Sequence, residues 1–364
     1  MRIVAALAFL CLMVGCKPAM ETKLNFSDVN TIDEILFEAK SSQQYTVLMV
    51  TNKTCDVCFY YKRTLTHMVK TKPDLFPVNA TVTSVDARMD GNMWVNQIVR
   101  EYAFPLFLII DPSGNVRGVL KGGSAKDLVN VMSKIAAGSM YFSESKRPFL
   151  NIGKDTSQQL STASKVAFVN DLFHVLSDFR THGKVDSNEN DRLVKSIQQQ
   201  PYFLNKYLLS KSLYSSGLTD SAKAISNSIM KENFGELDAM LYQPYMTEVR
   251  FMADNSFDTT RQPLLVTAQT DMNFGNDVVN ARKKLEVPVK NAGTEPLKIE
   301  NVRVSCECLK VDWPKEPIAA GATKNIIVEY ELKRTGPFSQ HLFVFSNSPT
   351  LPLLININGN VTLH

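Results

Sequence analysis

The sequence predicts a multidomain chain with an α/β domain first, an α-helical middle segment and an all-β sandwich at the C-terminus. Three observations carry this. An apolar, β-branched run at 45–51 (YTVLMVT) ends in a short polar turn, a pair of cysteines and a helical stretch, FYYKRTLTHMVK. A polar, irregular stretch (FSESKRPFLNIGKDTSQQ) is followed by apolar residues at helical spacing as far as position 231. From Leu264 onward, short β-branched runs alternate with turns. The 364 residues are enough for two or three domains, and 44% hydrophobic with 21% charged residues can build a sizeable core. A net charge of +4 without a basic block implies neither nucleic acid nor an acidic membrane surface as a partner.

The N-terminus reads as a targeting segment. Met1-Arg2 precedes IVAALAFLCLMVG, an apolar run too short to span a bilayer and stay. It ends in Met13-Val14-Gly15-Cys16, which resembles a bacterial lipobox, with Met13 where Leu is usual and Leu12 beside it. That resemblance implies a signal peptide over 1–15, lipid on Cys16, and a lipidated tether over 16–26. A plain secretory signal with an incidental Cys16 is the alternative. A lipid would hold an otherwise soluble protein on a membrane. No strongly acidic run follows Cys16, so the expected location is the cell envelope, with a periplasm-facing anchor. Of six cysteines, Cys11 leaves with the signal and Cys16 takes lipid. The other four form two close pairs, Cys55/Cys58 and Cys306/Cys308, in a chain bound for an oxidising compartment.

In the α/β domain, SDVNTIDEILFEAK at 27–40 has capping residues and an apolar stripe, so it reads as a helix. Then come the strand at 45–51, the cysteine helix to about Lys70, a strand at 82–86 and a helix at 92–102. LFLIID follows Phe104-Pro105 as a buried strand, Pro112 to Asn115 turn, VRGVLKGG returns as a hairpin partner, and 124–137 closes as a helix. The first cysteine therefore sits where a strand hands over to a helix. Backbone N–H groups in a helix's first turn lack partners, and the dipole places partial positive charge there. A Cys55 thiolate is favoured at such a point, and Cys58, one turn on, can close a disulfide with it. Half of a zinc site has the same spacing.

The order of elements, CDVC after the first strand, Phe104-Pro105 before the third and the DPSGNV hairpin together resemble the thioredoxin fold over about 27–138. The resemblance implies catalysis by Cys55 and Cys58. It also implies a cis Pro105 that faces them and helps a substrate backbone dock, with Phe104 and Thr54 beside it. An ordinary strand-start proline is the alternative. Two departures stand out. Thr54 replaces the family's frequent Trp, and Met49 replaces the buried acid six residues before the first cysteine. Neither Lys53 nor His67 is an obvious substitute, and Asp56 opposes thiolate formation slightly.

Residues 139–262 read as a helical spacer or docking domain, with helices at 164–178, 189–199, 203–215 and from Thr219. The aromatics Phe168, Phe173, Tyr202, Phe203, Tyr207 and Tyr214 belong to its core. Over 263–364, VKNAGTEPLKIENV, SCECLKV, PIAAGATKNIIVEY and VFSNSP resemble an uncharacterised bacterial domain family with an immunoglobulin-like, PapD-like fold. On an extended strand Cys306 and Cys308 would lie about 6.6 Å apart, near the limit for a disulfide, so bonding would need a local kink. Free thiols, or two ligands for a soft metal, remain open. The histidines form no ligand spacing.

The reading is thus an exported, membrane-anchored thiol–disulfide oxidoreductase without cofactor or metal. It would act on protein disulfides or thiols and draw on a membrane or periplasmic redox partner. A non-catalytic envelope scaffold with a structural Cys55–Cys58 bond competes with it, as does metal handling through Cys306 and Cys308.

Overall fold

The computed structural model describes residues 22–26, 31–52, 55–89, 92–143, 160–331 and 333–363. The apolar N-terminal run, Cys16, Lys53 and Thr54 lie outside them. Among the described residues no helix is long and apolar enough to cross a membrane.

The first part of the chain runs β1 (Thr22–Asn25), α1 (Ile32–Ser42), β2 (Tyr45–Thr51), α2 (Asp56–Thr71), β3 (Ala80–Asp86), α3 (Trp94–Val99), β4 (Leu106–Ile110), β5 (Val116–Lys121), α4 (Ala125–Ala136) and β6 (Tyr141–Phe142). Six strands form one sheet in the order β1-β3-β2-β4-β5-β6. β1, β3 and β2 are parallel, while β4 and β5 continue antiparallel. Both faces of the sheet are covered, which is why its central strands read as nearly continuous apolar runs. Alternation divides β2 between two cores: Val47 and Met49 face α2 and α4, whereas Leu48 and Val50 face α1 and α3.

Two elements differ from the sequence expectation. Part of the expected tether is β1, an edge strand whose Thr22 is buried and whose Leu24 packs on the α2–α4 core. The pattern was hidden because this short edge strand pairs on one side only, with β3. The helix expected over 92–102 ends at Val99, because Arg100 adopts a left-handed backbone (φ 47°) and Asn96 Nδ2 caps the turn on the Glu101 carbonyl at 2.9 Å.

The middle segment contains α5 (Thr162–His182), α6 (Asn190–Gln199), α7 (Phe203–Ser215), α8 (Thr219–Met230), α9 (Glu236–Tyr242) and α10 (Met246–Ala253). The last two were not legible, because Pro244 splits their apolar pattern with a tight turn at Gln243–Tyr245. The aromatics are core residues: Phe168, Phe173, Tyr202, Phe203 and Tyr207 are buried, and Tyr214 packs against them. This core is continuous with the α1–α3 face of the sheet, so the helices complete that layer instead of merely linking two domains. Helix α3 is the clamp. Gln97 Nε2 donates to the Leu241 carbonyl at 2.7 Å, the Tyr245 hydroxyl donates to Gln97 Oε1 at 2.9 Å, and Arg100 pairs with Asp238 at 3.1 Å.

The final part holds β7 (Leu265–Val266), β8 (Asp271–Val278), β9 (Arg282–Asn291), β10 (Ile299–Val304), β11 (Leu309–Asp312), β12 (Thr323–Glu331), β13 (Gly336–Ser346) and β14 (Leu353–Thr362). They form two four-stranded sheets, β10-β13-β14-β8 and β11-β12-β9-β7, closed on one core that includes Val287, Ile326, Leu342 and Ile355. The sandwich is tied to α9, where the Glu236 carboxylate accepts from Asn301 Nδ2 at 2.6 Å and Arg303 Nε at 2.8 Å. Phe343 of β13 meets Tyr102 edge-on, with ring centroids 6.2 Å apart.

Gln97→Leu would keep most of the volume but leave the Leu241 carbonyl and the Tyr245 hydroxyl short of a partner. The expected loss is about 2–4 kcal/mol, read as a lower urea midpoint at an unchanged m-value.

Candidate functional site

β2 is the buried strand between β3 and β4, and the chain leaves its end for α2. What fixes α2 is its inner face, where Cys58, Tyr61 and Leu65 are buried at helical spacing. Burying such side chains is worth about 1.5–3 kcal/mol each, against about 1 kcal/mol for a helix cap. Docking of α2 therefore decides where its first residue lies, and that residue is Cys55 at the N-cap. Its Sγ accepts from the Cys58 backbone N–H at 3.1 Å. Upstream, the Cys55 N–H donates to the Asn52 carbonyl at 2.9 Å and closes the turn between strand and helix.

Cys55 and Cys58 are joined in a disulfide, with Cα atoms 5.2 Å apart. Their surroundings differ. Cys55 is half-buried, while Cys58 is 3% exposed within the α2–α4 core. The first turn presents Val57, Phe59 and Tyr60 to solvent, at 59%, 64% and 65% exposure. One turn further, the Tyr61 hydroxyl donates to the Ser124 carbonyl at 2.9 Å, and burial, helped by the Asp127 carboxylate, pushes its pKa up. Tyr61 is thus neutral across the physiological range.

The Phe104–Pro105 peptide bond is cis. Pro105 is buried, and its carbonyl accepts from the Gly122 N–H at 2.8 Å. Phe104 packs against the same core as Cys55 and Cys58, and meets Tyr102 edge-on at 5.3 Å. The structure thus brings Cys55, Cys58 and Phe104 to one core.

Met49 is fully buried among apolar residues in the core that holds Cys58. Sequence reading missed Asp86. It is opposite Thr51 in the β2–β3 register, and alternation puts both on the sheet face that carries Met49. Among the described residues the buried acids are Asp86 and Asp238. Asp238 is paired with Arg100, whereas Asp86 accepts from the Arg88 N–H through Oδ1 at 2.9 Å and leaves Oδ2 without a partner. An acid at the end of a short β-branched run was the only signal, and it does not separate a buried carboxylate from a turn residue.

Cys306 and Cys308 are also a disulfide, and they are not on an extended strand. They occupy the turn between β10 and β11, where the Leu309 N–H donates to the Cys306 carbonyl at 3.1 Å and the Cα atoms come within 5.1 Å. The turn supplies the kink that bonding needed. Sulfurs bonded to each other do not ligate a metal, and no group of three or more His, Cys, Asp or Glu side chains among the described residues could hold one. His174 pairs with Asn115, His182 with the Asp178 carbonyl and His341 with Asn356, while His67 is exposed.

This arrangement is thioredoxin-like: a mixed sheet, a cysteine pair at the start of the helix after its central strand, and a cis proline at the start of β4. Residues 265–361, the C-terminal sandwich, match the family described as "Protein of unknown function (DUF1573)". No curated protein matches the chain. Among solved structures it is similar to a protein of unknown function from Porphyromonas gingivalis W83, at 12% identity, covering 29% of this chain and 50% of that one, with a TM-score of 0.26. The chain thus spans half the length of that protein. It is also similar to PapD-like domain 7 of human CEP192, at 9% identity, covering 28% and 88%, with a TM-score of 0.26. The third is oxidised thioredoxin O1 from Arabidopsis thaliana, at 18% identity, covering 31% and 96%, with a TM-score of 0.25.

After reduction, the difference in burial makes one sulfur far easier to reach. Limiting iodoacetamide on the native protein is expected to alkylate Cys55 at least ~10-fold faster than Cys58, read by peptide mass spectrometry. Equal labelling, or Cys58 first, would contradict the geometry.

Proposed function

We propose that the chain is a thiol–disulfide oxidoreductase of the cell envelope that exchanges disulfides with protein clients through Cys55 and Cys58. The observation that carries this is Cys55, a half-buried residue at the N-cap of α2, bonded to a buried Cys58 one turn along. In the reducing direction the Cys55 thiolate attacks a client disulfide and expels one client thiolate. Cys58 then attacks Cys55 Sγ, releases the second client thiolate and restores the Cys55–Cys58 bond. The oxidising direction is the reverse. Each client bond reduced consumes one dithiol, so a membrane or periplasmic thiol donor must restore it.

Pro105 and Phe104, together with Thr54, the residue before Cys55 in the sequence, would take the role of a client-docking edge. The exposed Val57, Phe59 and Tyr60 suit an apolar client segment, since three large apolar side chains on one helical turn are an unusual thing to leave in water. Signal cleavage before Cys16 and lipid on its sulfur would place the protein on a membrane, with its folded part in the periplasm. The C-terminal sandwich fits an immunoglobulin-like, PapD-like module that recruits a client or a partner.

Met49 favours a second reading, a non-catalytic scaffold with a structural Cys55–Cys58 bond, because it stands, fully buried, where the thioredoxin resemblance would place an acid. One assay separates the two. The purified chain with dithiothreitol is expected to accelerate insulin reduction, Cys55→Ser to abolish the effect, and Cys58→Ser to accumulate a client mixed disulfide on Cys55. No acceleration, together with a reduction potential below about −300 mV, would identify the scaffold.

A further inference from the structure

The Cys306–Cys308 bond takes no part in the chemistry proposed for α2, and it is poorly placed to be a staple. A disulfide restrains the unfolded chain less as the loop it closes becomes shorter, and these cysteines are only two positions apart. The bond lies within the single turn between β10 and β11 and ties neither sheet to the other. The sandwich core is filled without it, by residues such as Val289, Ile326 and Ile355, all fully buried. Both cysteines are half-buried instead, and disulfides within reach of solvent are the ones that exchange.

Two features of the turn distinguish its sulfurs. The Cys308 backbone N–H donates to Cys306 Sγ at 3.0 Å, the same arrangement as the Cys58 N–H on Cys55 Sγ at 3.1 Å. A hydrogen bond of this kind strengthens when its acceptor becomes an anion, so it favours Cys306 as the sulfur that leaves. Cys308, and not Cys306, is among the described residues that line a cavity of about 480 Å³, the size of a small-molecule site. Five Lys and Arg side chains line that cavity against three Glu. Glu329 stands between Lys310 and Lys284 in the cross-strand register, one carboxylate shared by two ammonium groups. Among the described residues no ion pair holds Arg282, Lys284 or Lys310, so the wall beside Cys308 carries an excess of positive charge.

We propose that Cys306–Cys308 is a second thiol–disulfide site, and that it oxidises small thiols bearing negative charge. The thiolate of such a molecule enters the cationic cavity and attacks Cys308 Sγ. A bond forms between the two sulfurs, the Cys306–Cys308 bond breaks, and its electron pair leaves on Cys306 Sγ, held by the Cys308 N–H. A second thiolate then attacks the substrate sulfur of the mixed disulfide and expels Cys308 as a thiolate. Two substrate thiols become one disulfide, the pair of cysteines gains the two electrons, and the cysteine thiolates take protons from water. The inference stands on the sandwich alone and does not depend on the redox reading of Cys55 and Cys58.

Mercaptoacetate, 2-mercaptoethanol and cysteamine, an anionic, a neutral and a cationic thiol, serve as probes of the full chain. Each reaction is stopped with N-ethylmaleimide, and the tryptic peptide Val304–Lys310, which holds both cysteines and no others, is read by fragmentation mass spectrometry. Each rate is divided by the same thiol's rate with hydroxyethyl disulfide, a neutral reference, which removes differences in nucleophilicity. The earliest adduct is expected on Cys308, with N-ethylmaleimide on Cys306. Mercaptoacetate is expected to form it ~10-fold faster than cysteamine on this scale, with 2-mercaptoethanol between them. Lys284→Gln/Lys310→Gln removes two of the five cations and is expected to bring the three probes within ~2-fold of one another. No adduct on this peptide, a first adduct on Cys306, cysteamine as fast as mercaptoacetate, or a double variant that keeps the preference would each overturn the proposal. Cys55 and Cys58 fall on a separate tryptic peptide, so their reactivity, present or absent, does not enter the result.

Discussion

The site depends on one constraint: a buried central strand has to hand over to a helix whose inner face is already committed. β2 is fixed by neighbours on both edges and by cores on both faces. α2 is fixed by Tyr61, Leu65 and Cys58 against those same residues. Cys55 is the residue that stands at the helix start when the chain arrives from β2. A sulfur there meets backbone N–H groups that nothing else in the helix can satisfy, and one of them, that of Cys58, points at it. The same helix rotation that buries Cys58 keeps Cys55 at the surface. Accessibility for one sulfur and shelter for the other are therefore consequences of how α2 packs.

The rest of the described molecule closes the opposite layer. The helical segment covers the α1–α3 face of the sheet and locks onto α3 through Gln97 and Arg100. The sandwich is carried on α9 through Glu236 and touches the α/β domain at Tyr102. Tyr102 in turn packs on Phe104, the residue before the cis proline. A chain of ring contacts thus joins the sandwich to the residue preceding Pro105.

Much of the architecture was legible because it rests on local pattern. YTVLMVT followed by CDVC and an amphipathic stretch specifies strand, turn and helix without help from distant residues. The alternating runs after Leu264 likewise specify a sandwich. What was not legible depends on pairing across the chain. Thr22–Asn25 is a strand because β3 offers it an edge, and the sequence from 17 to 25 looks only polar. α9 and α10 were hidden by Pro244. Asp86 could not be told from an ordinary strand-end acid until the register placed it opposite Thr51, on the Met49 face. Cys306 and Cys308 are close because a turn falls between β10 and β11, where the β-branched pattern alone ran on as a strand.

Met49 and Asp86 also sharpen the chemistry. The position that would hold an acid beneath Cys58 is apolar, and the buried carboxylate with a free oxygen stands one strand away, at the end of β3. Stabilisation of a thiolate on Cys55 then falls mainly to the start of α2, with Asp56 working slightly against it. The thiolate absorbance of Cys58→Ser, titrated near 240 nm, measures that balance most directly. The account predicts a midpoint clearly below the value of about 8.5 for a free cysteine. A midpoint at or above that value would mean the helix start does not hold the anion, and the proposed chemistry would lose its basis.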